Sequence, residues 1–337
     1  MHVRIAGSAD GKTLMIEVEV IIVGAGPAGS TCAWKLNQNG IQTVLLDKKA
    51  FPRQKLCAGW ITPGVLKNLQ LKKEEYPHGI LTFKRLFFHV RGRQFRVPTR
   101  QYSIRRNEFD HWLLKRARVP LHRHAVKQIR KESGFYIIDD SYRCKYLVGA
   151  AGTHCPVYRA FFKDVNSREK TRLISAIEEE FKYDYQDANC HLWFFERNLP
   201  GYAWYVPKAN GYLNVGIGGK FRSLKKSGQT IRRHWDYFTT QLAELSLVQD
   251  HTYRPRGYNY YLRQPLTTAQ MDNAFIIGDA AGMATLDLGE GIGPAVESGI
   301  LSAGAILTGR RFSTRSVSRY SLINILWTGL KTAITMR

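Results

Sequence analysis

Gly24, Gly26 and Gly29 follow directly on an apolar run that ends at Val23, in the spacing G-x-G-x-x-G. Residues of this type and spacing can hold a dinucleotide. Gly24 permits a tight turn, Gly26 carries no side chain to block a pyrophosphate, and Gly29 lets a helix lie close on the strand before it. Pro27 and Ala28 open that helix, whose free N–H groups and positive dipole end face the phosphates. A second apolar run, Val44 to Leu46, ends in Asp47 and Lys48. Asp47 stands about 20 residues beyond the glycines, where a carboxylate reaches an adenosine ribose hydroxyl. The elements needed to position these groups are a strand, a helix and a second strand, and the stretch from Val18 to Asp47 has that pattern.

A second segment of the same character lies far downstream. AFIIGDAAG reads as a buried strand ending in Gly278 and Asp279, at the carboxyl end where parallel sheets collect ligands. The Asp279 carboxylate can accept hydrogen bonds from a polyol chain. Gly289, Gly291, Ile292 and Gly293 then precede Pro294 and a helix. A backbone this bare at a helix N-terminus suits the carbonyl edge of an isoalloxazine ring and favours an anionic reduced flavin. FAD is long enough to need both segments, so FAD rather than NAD is the expected cofactor.

With both segments in view, the chain resembles the geranylgeranyl reductase family, within the FAD proteins of para-hydroxybenzoate hydroxylase architecture. VIIVGAGPAG with Asp47, KLCAGWITP, RRNEFDHWL and IIGDAAGMATLDLGEGIGPAVESG carry the likeness. LPGYAWYVPK is similar to the family's Pro-x-x-Tyr-x-Trp-x-Phe-Pro substrate motif. The resemblance implies that Ala28 and Asp47 contact pyrophosphate and ribose, and that Cys57, Ala58 and Gly59 lie along the flavin. It also implies that Arg106 reaches the FAD phosphates, that Val126 meets the adenine through its backbone, and that Asp279, Gly291 and Ile292 hold the ribityl chain and ring. Tyr202 and Trp204 would line a substrate cavity, and with Cys57 they form the catalytic candidates. The chain departs from the family at Ala150-Ala151-Gly152, where Ala-Asp-Gly is usual, at Ala58 in the Cys-Gly-Gly loop, and at Val206 in place of the motif phenylalanine.

The fold the resemblance implies is α/β. A Rossmann-like FAD-binding domain of glutathione-reductase type (15–80, 100–165 and 265–310) receives an inserted, mainly antiparallel substrate domain (81–99 and 166–264). A C-terminal helical segment (311–337) follows. The activity implied is FAD-dependent reduction of C=C bonds in an isoprenoid or related lipid, with NAD(P)H or ferredoxin as the electron donor. Two alternatives stay open. One is a flavin monooxygenase or halogenase, although the halogenase Trp-x-Trp-x-Ile-Pro would fall at Tyr202 to Pro207 without its first tryptophan. The other is a non-catalytic FAD protein at a membrane surface.

Composition bounds these readings. The chain has 337 residues and a formal net charge of +23. That charge suits a phosphorylated or lipidic substrate or an anionic membrane surface. No nucleic-acid recognition signature accompanies it, so no nucleic-acid partner is expected. Five scattered cysteines without C-x-x-C argue for a reducing compartment and against a zinc site or a disulfide framework. The pair His122 and His124 reads as a solvated turn, and no metal is expected. No run of about 20 apolar residues is present. The expected location is the cytoplasm, with peripheral membrane contact as the alternative.

Along the chain, hairpins are expected at Arg91-Gly92, Ser133-Gly134 and Asn210-Gly211, and helices over 105–118 and 231–248. The stretch after Asp47 reads as a loop as far as Pro63. Residues 1–14 read as an extension that adds little, or else as an edge strand over His2 to Ala6. Leu322, Ile323, Leu326, Trp327, Leu330 and Ile334, flanked by Arg315, Arg319, Lys331 and Arg337, predict an amphipathic helix over 315–337.

Overall fold

A computed structural model describes residues 4–6, 15–323 and 325–326, with side chains from Met15 onward. Two sheets divide these residues. The first is built on parallel strands in the order Ala274–Ile276, Tyr142–Gly149, Met15–Val23, Thr43–Asp47 and Leu121–Arg123. Val20 to Val23 and Val44 to Leu46 are buried, as parallel strands covered on both faces must be. A hairpin, Ile129–Glu132 and Phe135–Ile138, turns at Ser133-Gly134 and pairs with Tyr142–Cys144. Arg4–Ala6 pairs antiparallel with Met15–Glu17, so the edge-strand reading holds for those three residues.

Helices Pro27–Gln38 and Ile292–Thr308 cross on one face of this sheet. A Cβ at Gly299 would lie 2.5 Å from the Ala28 carbonyl oxygen. The missing side chain is what lets the two helices approach so closely.

The second sheet has eight strands. Their order is Arg256–Tyr261, Leu173–Lys182, Tyr212–Lys220, Gly201–Lys208, Cys190–Phe194, Leu81–Val90, Arg93–Ser103 and Trp60–Ile61. Every pair is antiparallel except Cys190–Phe194 with Leu81–Val90. Trp60–Ile61 is a strand where a loop was expected. Its two residues alone make too short a run for periodicity to register. The Asn210-Gly211 turn has both residues at positive φ (62° and 68°), as a two-residue hairpin requires.

Each face of this sheet carries its own apolar cluster. Helix Ile231–Glu244 lays Trp235, Phe238 and Leu242 on Trp193, Ala203, Tyr205 and Val215. The opposite face presents Trp60, Leu86, Ala176, Leu192, Trp204 and Val206, with Leu288 and Ile325 joining from the C-terminal third.

The predicted C-terminal helix is corrected in its first part. Residues 315–321 form turns and irregular backbone because neighbours take their polar groups. The Arg263 guanidinium donates to the carbonyls of Thr314, Val317 and Ser318. The Asp287 carboxylate accepts the N–H groups of Ser321 and Leu322. Helical geometry begins at Leu322, and Trp327, Leu330, Lys331, Ile334 and Arg337 lie outside the described residues. Among the described residues no helix is long and apolar enough to cross a membrane.

Candidate functional site

The carboxyl ends of the parallel strands share one edge, with Val23, Asp47, Gly149 and Ile276 side by side. Gly24 turns there at φ +109°, and a Cβ on it would lie 2.5 Å from the carbonyl of Ala150. Gly26 is the opposite case. Its backbone is extended, it opens helix Pro27–Gln38 with no side-chain cap, and a Cβ there would meet only the Arg53 guanidinium at 3.5 Å. The space that Gly26 keeps clear is thus a cradle at a helix N-terminus, which fits a pyrophosphate.

Asp47 Oδ2 accepts from the Ala25 N–H (3.0 Å) and Oδ1 from the Lys49 N–H (2.9 Å). Each oxygen keeps acceptor capacity for a ribose diol. The second glycine segment meets the first directly. Gly278 has φ +56°, and a Cβ there would lie 3.0 Å from the Ala28 Cβ. A Cβ on Gly291 would come within 3.4 Å of Asp279 Oδ1. The two segments, remote in sequence, therefore fit one FAD together.

Other assigned positions lie differently. Lys48 is exposed beyond the strand end, and Val126 packs on the margin of the dinucleotide core. Arg106 is buried and pairs bidentately with Asp110 at 2.8 and 2.9 Å. Burial opposes its charge, but the Asp110 carboxylate overrides that and raises its pKa. Arg53 lies 3.8 Å from the same carboxylate, so two guanidinium groups converge on it beside the Gly26 cradle.

The Cys57–Gly59 loop joins the two sheets. Its Cys57 N–H donates to Glu178 Oε1 at 2.5 Å, and the Gly59 N–H points to Cys57 Sγ at 3.4 Å. Lys208, fully buried, donates from Nζ to the carbonyls of Ala58 and Ile104. A cavity of about 210 Å³ opens beside the loop, lined by Cys57, Arg106, Glu178, Glu180 and Asn214 among others.

Sheet register explains what faces the loop. Trp204 pairs with Gly216, and Gly216 with Glu178, so all three stand in one row. Tyr202, Gly218, Ala176 and Tyr258 form the adjacent row. Because Gly216 has no side chain, the Trp204 indole lies across it, and Nε1 donates to Asn214 Oδ1 at 2.7 Å. Tyr202 hydroxyl donates to the Leu288 carbonyl at 2.5 Å. The structure thus brings Cys57, Ala58, Tyr202 and Trp204 to one side of the sheet. It adds Glu178, Asn214, Lys208, Tyr258 and Tyr260, which the motifs did not reveal. Lys208 could have been suspected, since it directly follows the Tyr202 to Pro207 motif. Glu178 could not, because it is one of three consecutive glutamates.

Glu178 has a measurable consequence. Burial pushes its carboxyl up to about 7, against partial opposition from the Cys57 N–H, Asn214 and Lys208. The unfolded chain ionises near the ordinary carboxylate value while the folded chain stays neutral, so folding stability falls as pH rises from about 4.5 to about 7. The contribution is roughly 3 kcal/mol as an upper estimate. Glu290 is raised to about 7 by burial too, so the isosteric Glu178→Gln is expected to reduce, not abolish, the fall in stability between pH 5 and pH 8 in urea titrations. An unchanged slope would show that Glu178 is ionised in the fold.

The FAD binding domain family matches residues 17–71. An uncharacterized protein of Methanosarcina barkeri is 31% identical over 87% of this chain and 75% of its own length. Digeranylgeranylglycerophospholipid reductase 2 of Methanopyrus kandleri is 27% identical over 60% of this chain, which spans 55% of that relative. Among solved structures, a geranylgeranyl bacteriochlorophyll reductase-like protein of Thermoplasma acidophilum superposes with a TM-score of 0.75 at 20% identity, covering 95% of this chain and 86% of the other.

Proposed function

Because the chain belongs to the geranylgeranyl reductase family of FAD-dependent oxidoreductases, we propose that it reduces carbon–carbon double bonds in a polyprenyl lipid. The observation that carries this reading is the aromatic and aliphatic face formed by Tyr202, Trp204, Tyr258, Tyr260, Leu192 and Leu288, which meets Ala58 of the Cys57–Gly59 loop. A prenyl chain gains about 25 cal/mol for each Å² of apolar surface it buries there. A polar or ionic substrate would be desolvated without partners. Bound in its reduced form, FAD supplies hydride.

The residues do the rest. The Gly26 cradle and Asp47 hold the adenosine diphosphate end, and Asp279 with Gly291 holds the ribityl end. The Cys57–Gly59 loop, pinned by Lys208, would help to hold the ring. Tyr202 and Trp204 orient the chain and exclude water. The positive charge suits a lipid phosphate at the entrance, and NAD(P)H and ferredoxin are the two donor classes to try.

The test is a single turnover without oxygen. The flavin is reduced chemically and mixed with prenyl lipids. Reoxidation with a product two hydrogens heavier is expected. A product one oxygen heavier, formed only in air, would assign a hydroxylase instead.

A further inference from the structure

We infer that Glu178 is the proton reservoir for the reduction and that the Tyr258 hydroxyl passes its proton to the substrate. This rests on the functional reading above. Glu178 is 2% exposed and stands in the wall between two unlike spaces. On one side is the polar cavity that also contains Glu180, Arg254 and Arg256. On the other are the aromatic rings of Tyr202, Trp204, Tyr258 and Tyr260. Its carboxyl has a different partner on each oxygen. Oε1 accepts from the Cys57 N–H at 2.5 Å and faces Asn214 Nδ2 at 3.4 Å. Oε2 is 3.3 Å from the Tyr258 hydroxyl.

In this geometry the Tyr258 hydroxyl donates to Oε2; with donors already on Oε1, a neutral carboxyl carries its proton on Oε2, which reverses that bond and frees the tyrosine hydrogen for the substrate. The Asn214 amide is itself oriented by the Trp204 indole N–H at 2.7 Å. Trp204 therefore links the substrate wall to the carboxyl.

The chemistry balances. Hydride addition to one alkene carbon leaves the other short of a proton. The Tyr258 O–H bond breaks as that C–H bond forms, and the Glu178 O–H bond breaks to restore the tyrosine. The carboxylate that remains is held by the Cys57 N–H and Asn214 and is reprotonated from water through the polar cavity. The two electrons come from the reduced flavin.

The charged groups around Glu178 oppose one another. Lys208 from strand Gly201–Lys208 favours the carboxylate, and Glu180 on its own strand disfavours it. The Tyr258 hydroxyl and the Cys57 backbone N–H face it from their own segments. Arg106 is bound to Asp110, and Arg256, in register with Glu178, is exposed. Arg105 is held by Glu108 and Glu180. Lys55 and Arg254 stand at the cavity margin. Burial tips this balance to the neutral acid, with the carboxyl pushed up to about 7.

The experiment uses the full chain with FAD and two variants, Glu178→Gln and Tyr258→Phe. Infrared difference spectra, taken without substrate, should show the carbonyl band of a neutral carboxylic acid that disappears with a midpoint near pH 7. Burial raises the Glu290 carboxyl to about 7 as well, so the Glu178 signal is the component of this band that is lost in Glu178→Gln and retained in Tyr258→Phe. With a prenyl lipid, reoxidation of the reduced flavin should slow at least 100-fold in both variants, and the wild-type rate should fall above pH 7. FAD affinity should stay within threefold, which excludes misfolding as the cause.

A Glu178→Gln protein that reoxidises at the wild-type rate with an unchanged pH profile overturns the inference, as does absence of the infrared band in the wild type. If wild-type flavin stays reduced with every prenyl lipid, the functional reading falls, and the relay falls with it. The infrared titration then still reports the state of Glu178 by itself.

Discussion

Valine at Gly26 is expected to abolish FAD binding and leave the apoprotein folded, whereas valine at Gly24 is expected to prevent folding. The two glycines are two positions apart, yet their surroundings differ completely. Gly26 is extended, with φ −76°, a conformation open to any residue. A side chain there would displace only the mobile end of Arg53. The volume it fills is the cradle in front of the helix N-terminus, where a phosphate must approach the backbone. Loss of FAD affinity by at least about 100-fold is expected, at unchanged thermal stability without cofactor. Gly24→Val adds left-handed strain at φ +109° to a collision with the Ala150 backbone. Neither partner can move without breaking the strand Tyr142–Gly149, and roughly 4 kcal/mol or more is at stake. Equilibrium titration of flavin fluorescence, paired with urea unfolding, separates the two outcomes. Strong FAD binding by Gly26→Val would remove the cradle from the cofactor site.

Methionine at Lys208 should have the next largest effect. The ammonium is fully buried and donates to Ala58 and Ile104, and the Gly59 backbone presses so close that no side chain could stand between them. Desolvation lowers the Lys208 pKa, and nearby Glu180 and Glu178 work against that. Methionine keeps the volume but leaves two buried carbonyls without a donor, at a cost of about 1–3 kcal/mol each. Removing the cation also takes away an opposite charge that partly offsets the burial of Glu178. Lys208→Met is expected to lose about 3 kcal/mol of stability and to weaken FAD binding by loosening the Cys57–Gly59 loop. Urea unfolding with and without FAD measures both effects. A variant as stable as the parent would mean that the loop does not depend on this anchor.

These two experiments address residues of different legibility. Gly24, Gly26, Gly29 and Asp47 could be read because their roles are local. Backbone shape and the helix N-terminus are set within about 25 residues, and spacing alone encodes them. The downstream glycines were legible for the same reason. Lys208 was legible only as the neighbour of the Tyr202 to Pro207 motif, because its partners lie more than a hundred residues earlier in the chain. The C-terminal stretch shows the opposite failure. Its apolar spacing predicted a helix from Arg315, but Arg263 and Asp287 draw off the polar groups as far as Leu322. Local periodicity lost there to hydrogen bonds made at a distance.

The run Glu178-Glu179-Glu180 marks where sequence stops and tertiary structure begins. By itself the sequence determined that the chain has an FAD-binding fold with two glycine segments, and that a strand bearing Tyr202 and Trp204 carries its aromatic rings on one face. It could not say which of three identical acids points inward. Pairing with Tyr212–Lys220 and Arg256–Tyr261 decides that. Glu178 and Glu180 face Cys57 and Arg105, while Glu179 turns away to His251 and the Arg254 N–H. Side chains alternate along a strand, so a slip of one residue would exchange them. Register is a property of the assembled sheet, and here it alone places a carboxyl beside the aromatic wall.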